Sequence, residues 1–273
     1  MLCFPNAKIN IGLVVLEKRP DHFHTIETIF FPIPLSDILE IIPEKGQISA
    51  KVNFKTTGLE IPGHVPNNLC IKAYNLLDKD FDLPPVKIIL HKIIPMGAGL
   101  GGGSSDASAV LILLNQLFDL RLDETTLLDY ASRLGSDCAF FIRNKPALGT
   151  GKGDVLEPIN IVLKGYYCVV VKPDDFIGTA EAYAGITPAR PTQSLKELGA
   201  LPISDWKQTL VNAFEKSIFE KHPVIATIKE QLYREGAVYA SMTGSGSAVY
   251  GIFKEEVKLK NTFTGMMYWG GWL

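Results

Sequence analysis

A chain of 273 residues, 47% hydrophobic and 21% charged, has ordinary globular composition and is long enough for two modest domains. Its formal net charge of −2 lacks the basic surplus that nucleic-acid binding would mark, and no apolar run reaches membrane-spanning length, so neither a nucleic acid nor a membrane is expected as partner. The four cysteines, at positions 3, 70, 138 and 168, form no Cys-x-x-Cys pair and read as structural thiols of a reduced, cytoplasmic protein.

The first sixty residues alternate strand-like runs (7–16, 25–33, 38–43 and 47–54) with turn signals at Arg19-Pro20-Asp21 and Glu44-Lys45-Gly46. In the first run, alternation places Lys8 and Asn10 on the same face of an otherwise apolar strand. The pattern then predicts a helix over 68–77, a strand over 86–94, and helices over 105–118 and 123–134, the last ending at Gly135. A strongly apolar strand over 166–171 opens a second half, which continues with helices over 205–220 and 223–235 and a strand over 248–253. We place the seam between halves near 158–165, dividing 1–160 from 161–273 in an α+β chain without repeats. The aromatic and methionine-rich tail over 261–273 either packs on the second half or makes a subunit contact; the sequence leaves the oligomeric state open.

Between the strand and helix flanking residue 100 lies Pro95-Met96-Gly97-Ala98-Gly99-Leu100-Gly101-Gly102-Gly103-Ser104-Ser105-Asp106. Five glycines allow positive φ and a close backbone approach to a ligand, and Ser104, Ser105 and Asp106 are natural helix N-caps. A glycine loop opening a helix is an anion site, because unpaired N–H groups and the helix dipole point at the ligand. The P-loop pattern fails here, since no lysine follows any of these glycines. Gly97-x-Gly99-x-x-Gly102 satisfies a dinucleotide fingerprint, with Asp119 as the ribose acid, but it sits mid-chain, follows a proline and has no alternating strand and helix pattern before it.

The whole run resembles the second motif of the GHMP kinases, small-molecule kinases without a P-loop. Residues 5–13 (PNAKINIGL) resemble their first motif and residues 242–249 (MTGSGSAV) their third. Asp21-His22-Phe23-His24-Thr25, the Asn68-Leu69 helix start, and residues 134–141 (LGSDCAFF) narrow the resemblance, which covers roughly 4–253. It implies a two-domain α+β kinase with its active site in the cleft between domains, using ATP and Mg²⁺ on a cytidine-diphosphate-linked polyol in non-mevalonate isoprenoid precursor synthesis. The other readings are another small-alcohol kinase of the family, an NAD-type oxidoreductase, or a non-catalytic binding module.

Phosphoryl transfer needs an aligned hydroxyl, a phosphate cradle and positive charge where oxygen charge accumulates. Asp137, after a helix-ending Gly135-Ser136, matches the family's catalytic aspartate and would act as base; a turn or cap role is the alternative. A lysine buried in a strand needs a carboxylate partner; Lys8 and Asp137 match the family's pair, so Lys8 is expected to pair with Asp137 and steady the transferring charge, a solvated edge lysine being the alternative. The nucleotide is expected on residues 95–105, that is Pro95, Met96, Gly97, Ala98, Gly99, Leu100, Gly101, Gly102, Gly103, Ser104 and Ser105. Asn68 and Lys92 match positions near the adenine or ribose, and equally fit a helix cap and a surface charge. Phe23 and His24 suit a nucleobase by stacking plus an edge hydrogen bond, which the resemblance implies is cytosine, and core packing is the alternative. Phe23 stands where relatives carry tyrosine, and His22 where glycine is usual. Asn10, Thr179 and Ser245 are expected on the acceptor side, Ser245 closing over the substrate diphosphate or over the phosphates of the nucleotide. Residues 149–154 (GTGKGD) resemble a family loop near the active site and equally fit a plain β-turn. The expanded triple glycine leaves the metal ligands unassigned.

Overall fold

The computed structural model describes residues 1–44 and 50–273. In chain order its elements are β1 (Leu2–Cys3), β2 (Asn6–Lys18), β3 (His24–Ser36), β4 (Ile38–Pro43), β5 (Val52–Gly58), α1 (Leu69–Phe81), β6 (Val86–Lys92), α2 (Gly102–Leu117), α3 (Glu124–Leu134), α4 (Cys138–Arg143), β7 (Ala147–Thr150), β8 (Val155–Pro158) and β9 (Tyr167–Lys172). The chain continues with α5 (Thr179–Ala184), α6 (Leu195–Gly199), α7 (Ile203–Thr209), α8 (Glu215–Lys221), α9 (Pro223–Arg234), β10 (Tyr239–Met242), β11 (Val249–Phe253) and β12 (Met267–Trp272). Contacts group these residues into two compact units, one of Met1–Ala7, Ser36–Met96 and Gly101–Asn144, the other of Lys8–Leu35, Gly97–Leu100 and Lys145–Leu273.

The first unit is built on a sheet of order β1-β4-β6-β5, in which β5 runs parallel to β6 and the other pairs are antiparallel. Leu39 and Ile41 on β4, and Val86, Ile88 and Leu90 on β6, are buried at every second position, as one covered sheet face requires. Against them pack Cys70, Ala73, Tyr74 and Leu77, which repeat at helical spacing on α1, and Val110, Leu111 and Leu114 of α2. Burying side chains of this size contributes about 1.5–3 kcal/mol each. The strand expected over 47–54 is observed as Val52–Gly58, its start lying partly outside the described residues. Its far end is fixed by pairing, Val52 with Val86 through to Gly58 with Lys92, so the polar residues Lys55, Thr56 and Thr57 belong to a strand that hydrophobicity did not reveal.

The second unit holds two four-stranded sheets, β10-β11-β9-β12 and β2-β3-β7-β8. In the first, Val169, Val171 and Val249 face Ile218, Ile225, Ile228 and Leu232 from α8 and α9. The aromatic tail supplies β12, pairing antiparallel with β9 from Met267 opposite Lys172 to Trp272 opposite Tyr167. It therefore packs on the second half of the chain, and the rings of Tyr167 and Trp272 meet edge to face at 5.3 Å between centroids.

The helix expected over 205–220 is two helices, α7 and α8, separated by an extended stretch. Leu13 N–H donates to the carbonyl of Val211 and Ala213 N–H to that of Leu13, so a parallel bridge to β2 competes with helix continuation and wins. Asn212 then uses its amide to hold the carbonyls of Met242 and Gly244, at 2.8 and 2.9 Å.

Candidate functional site

The glycine loop departs from expectation at its helix end. Helix α2 begins at Gly102, its N-cap is Gly101 in the left-handed region (φ 72°, ψ 11°), and no side chain caps it. Ser104, Ser105 and Asp106 are therefore not N-caps but residues within the helix. Positive φ is confined to Gly97, Gly99 and Gly101, whereas Gly102 and Gly103 are already helical. Gly102 is required by space instead: a Cβ there would stand 2.8 Å from Ile94 Cγ2 and 2.9 Å from Lys92 Nζ. The first N–H groups of a sixteen-residue helix lack intrahelical partners, so the N-terminus of α2 is a place for phosphate oxygens.

Beside it, in the same unit, is a cavity of about 340 Å³ lined by Phe54, Ile61, Asn68, Leu69, Met96 and Gly103 among others, with Asp106 in its wall. Its size and mostly apolar lining suit a nucleoside. Asn68 lines this cavity and is also the N-cap of α1, its Oδ1 accepting from Cys70 N–H at 2.9 Å. Lys92 is no surface charge. Its side chain is fully buried and its ammonium binds Asp37 Oδ2 and, at 2.8 Å, Asp106 Oδ2. Burial opposes the lysine charge, but Asp106 and Asp37 outweigh it and hold Lys92 above its ordinary value. For Asp106 burial dominates over the pull of Lys92, and the carboxyl is pushed up to about 7. Asp119, the acid of the dinucleotide reading, pairs with Arg121 in an exposed turn.

Asp137 occupies the N-cap position of α4 without its side chain making a capping bond. The start of α4 is tied to α2 by the Ser108 hydroxyl, which lies 2.9 Å from the Ser104 carbonyl and 2.8 Å from that of Cys138. The loop residue Asp137, half-buried, is thus carried by two helices packed through Ala107, Leu111 and Cys138.

In the second unit the three glycine- and lysine-bearing stretches meet at one atom, the carbonyl oxygen of Gly99. Lys8 Nζ donates to it at 2.9 Å and the Thr243 hydroxyl at 2.9 Å, while Lys8 N–H donates to the carbonyl of Leu100. Lys8 is 3% exposed, and its ammonium also donates to Asn10 Oδ1 at 2.6 Å and lies 5.3 Å from the centroid of the Phe30 ring. Asn10 is engaged inside the protein: its Oδ1 faces Lys8, and its Nδ2 donates to Thr28 Oγ1 at 2.9 Å. The shared strand face read from alternation is a buried polar pair, Asn10 positioning Lys8. Ser245 sits half-buried in the turn between β10 and β11, flanked by Gly244 and Gly246 at positive φ.

Also in the second unit, Phe23 is 58% exposed and the Lys152 ammonium lies 4.9 Å from the centroid of its ring. His22 adopts φ 65°, the left-handed conformation that explains why glycine suits this position elsewhere. The 149–154 stretch is a hairpin turn between β7 and β8, with Gly153 N–H donating to Thr150 and the Asp154 carboxylate accepting from Lys152 N–H. It delivers Lys152 to Phe23. His24 stacks on Tyr183 at 4.5 Å between centroids and 18° between planes, and Tyr183 meets Phe214 edge to face. Burial and Lys18 lower the pKa of His24, which favours the neutral imidazole with one donor and one acceptor nitrogen. Thr179 opens α5, exposed and one turn from Tyr183 on the same helix face. Sequence reasoning missed Tyr183. The i, i+4 spacing of Thr179 and Tyr183 was the available signal, but six residues of helix are too few for a periodicity.

Among the described residues, no helix is long and apolar enough to cross a membrane, no group of three or more His, Cys, Asp or Glu is placed to hold a metal ion, and the four cysteines are free. Comparison with known proteins matches the GHMP kinases N terminal domain over residues 68–145 and the GHMP kinases C terminal domain over 192–264. A Bacteroides thetaiotaomicron protein named 4-diphosphocytidyl-2-C-methyl-D-erythritol kinase is 52% identical over 265 residues, 97% of this chain and 96% of its own. A protein of the same name from Parabacteroides distasonis is 49% identical over 275 residues, the full length of both. Among solved structures, a 4-(cytidine 5'-diphospho)-2C-methyl-D-erythritol kinase is similar at a TM-score of 0.76 with 30% identity, over 92% of this chain and 90% of that one. The Methanococcus jannaschii mevalonate kinase, at 14% identity and a TM-score of 0.72, shares the fold.

Proposed function

The chain belongs to the GHMP kinases, and we propose that it transfers the γ-phosphoryl group of ATP to the 2-hydroxyl of 4-diphosphocytidyl-2-C-methyl-D-erythritol, a cytoplasmic step in making isoprenoid precursors. The observation that carries the acceptor is the near full-length identity to relatives bearing that substrate's name. Lys8 and Thr243 meeting at the Gly99 carbonyl supports the reaction class, because it makes one constellation of three distant stretches.

The nucleoside occupies the cavity beside Asn68 and Met96, and the phosphates lie along the glycine loop at the N–H groups opening α2. Mg²⁺, when bound with ATP, would neutralise charge on the phosphate oxygens. Asp137 accepts the proton of the attacking hydroxyl. Lys8, oriented by Asn10 and the Gly99 carbonyl, opposes the charge that develops on the transferring group. Phe23 and Tyr183 offer aromatic faces for the cytosine, and neutral His24 an edge. Thr179 and Ser245 contact the acceptor's polar groups.

ADP release from ATP and Mg²⁺, with 4-diphosphocytidyl-2-C-methyl-D-erythritol as acceptor, tests this in the natural chain and in Asp137→Asn. Acceptor-dependent turnover that collapses in the variant is expected. A folded, ATP-binding protein that ignores this acceptor would move the assignment to another small alcohol within the family.

A further inference from the structure

The glycine loop is held at both of its ends by one buried ion cluster. On the side leading in, Asp37 Oδ1 accepts from the backbone N–H groups of Ile93 and Ile94, and its Oδ2 binds the Lys92 ammonium. On the side leading out, the same ammonium binds Oδ2 of Asp106, the fifth residue of α2. Lys92 is the last residue of β6, so three side chains connect the strand before the loop, the residues bending into it and the helix after it. Gly102 lets α2 approach this closely, its missing Cβ leaving the space in front of Lys92 Nζ. The side chains of Lys92 and Asp37 are fully buried and that of Asp106 is 3% exposed. Lys92 and Asp37 have no surface to offer a nucleotide and Asp106 shows only a sliver to the cavity, and a buried cation with two carboxylates is a costly way to stabilise a core.

We propose that Asp37, Lys92 and Asp106 are positioning residues for ATP, fixing the start of α2 relative to β6 so that its N–H groups meet the phosphates. The inference rests on the kinase reading above. Asp106 is the adjustable member. Its Oδ1 is buried with no hydrogen-bond partner among the described residues and its Oδ2 binds Lys92, whereas Asp37 uses both oxygens. The ionisable groups facing it are Lys92 from β6, Asp37 ahead of β4, the Cys70 thiol from α1 and the Cys3 thiol from β1. With its carboxyl raised to about 7, Asp106 gains a proton as pH falls through neutrality, and its attraction for Lys92 weakens. The hold on α2 loosens accordingly.

The test is the dissociation constant of ATP with Mg²⁺ from pH 8 to pH 6, for the natural chain and Asp106→Asn, with KM for each substrate alongside. Titration of ATP itself is common to both proteins and cancels in their ratio. At pH 8, Asp106→Asn is expected to bind ATP about tenfold more weakly, the scale of one charge-assisted contact. The gap should close toward pH 6, and KM for the acceptor should stay unchanged. A ratio constant across pH, or an equal loss for both substrates, would overturn the inference. Should Asp106→Asn not fold, Lys92→Met combined with Asp106→Leu and Asp37→Asn removes all three charges at similar volume, and a folded triple variant with undiminished ATP affinity would overturn it equally. Because the measurement is binding, a natural chain that binds ATP but phosphorylates no such acceptor would refute the substrate assignment and leave this inference standing.

Discussion

The carbonyl oxygen of Thr243 lies 2.0 Å from the point where a Cβ on Gly99 would stand. An alanine at 99 would have to displace backbone, and it would also inherit φ 75°, which costs an L-residue about 1–2 kcal/mol. Gly103 differs: it is helical, and the nearest atoms to its missing Cβ are 3.8 and 3.9 Å away. Thermal unfolding should therefore separate the two. Gly99→Ala is expected to lower the midpoint by several degrees or prevent folding, while Gly103→Ala, favoured in a helix by about 1 kcal/mol, is expected to hold or raise it. Equal effects would mean that the Gly99 to Thr243 approach is not what demands glycine.

Lys8→Met should separate chemistry from binding. The lysine's ammonium is fixed by Asn10 and the Gly99 carbonyl inside a buried strand, so its removal takes away directed charge and little nucleotide-contacting surface. Turnover is expected to fall by about 10²–10³, the usual cost of losing one preorganised electrostatic group, with ATP affinity within about threefold of the natural chain. Steady-state kinetics together with calorimetric ATP titration gives both numbers, and a retained turnver would remove Lys8 from the mechanism.

The parts of this architecture that could be read beforehand are those in which local pattern and tertiary need coincide. Helix α3 is bounded by Asp123, whose side chain caps Thr126 N–H, and by Gly135, both visible as sequence signals. Strand β4 was legible because its alternation is the alternation of one buried face. What stayed hidden was set by partners distant in sequence. The Leu210–Phe214 interruption exists because Leu13 offers hydrogen bonds there, and β12 exists because β9 has an edge to pair. At the candidate site the glycine loop, Lys8 and Asn10 were identifiable from residue type. The burial of Lys92 was not, because its two carboxylates lie fifty-five residues before and fourteen after it.

His222 should make stability depend on pH. Its Nδ1 faces Asp175 at 2.8 Å and its Nε2 faces Glu181 at 3.4 Å; the bond to Asp175 is the largest effect and raises its pKa, burial opposes it, and the weaker bond to Glu181 adds to the rise. A raised folded-state pKa means the contribution is fully present below the unfolded value of about 6.5 and disappears as pH rises through the folded value. Unfolding midpoints of the natural chain and His222→Gln should then differ most at pH 5.5 and converge by pH 9. A difference that grows toward alkaline pH would show that the imidazole is not held as a cation between these carboxylates.

Tyr183 is the sharpest test of the acceptor side, because its place there comes from ring contacts in the fold and not from a sequence motif. Its ring lies nearly parallel to His24 and edge-on to Phe214, an arrangement that keeps an aromatic plane fixed without needing the ligand to order it. Base stacking on an aromatic ring contributes about 1–3 kcal/mol, so Tyr183→Leu should raise KM for the cytidine-bearing acceptor by about tenfold or more while KM for ATP stays constant. Since His24 titrates below its ordinary value, the natural chain's acceptor KM should be flat through neutrality and rise only in acid, where a protonated imidazole loses its acceptor nitrogen. If Tyr183→Leu instead raised both KM values together, the ring would be packing for the whole unit. An unchanged acceptor KM would place the cytosine away from His24.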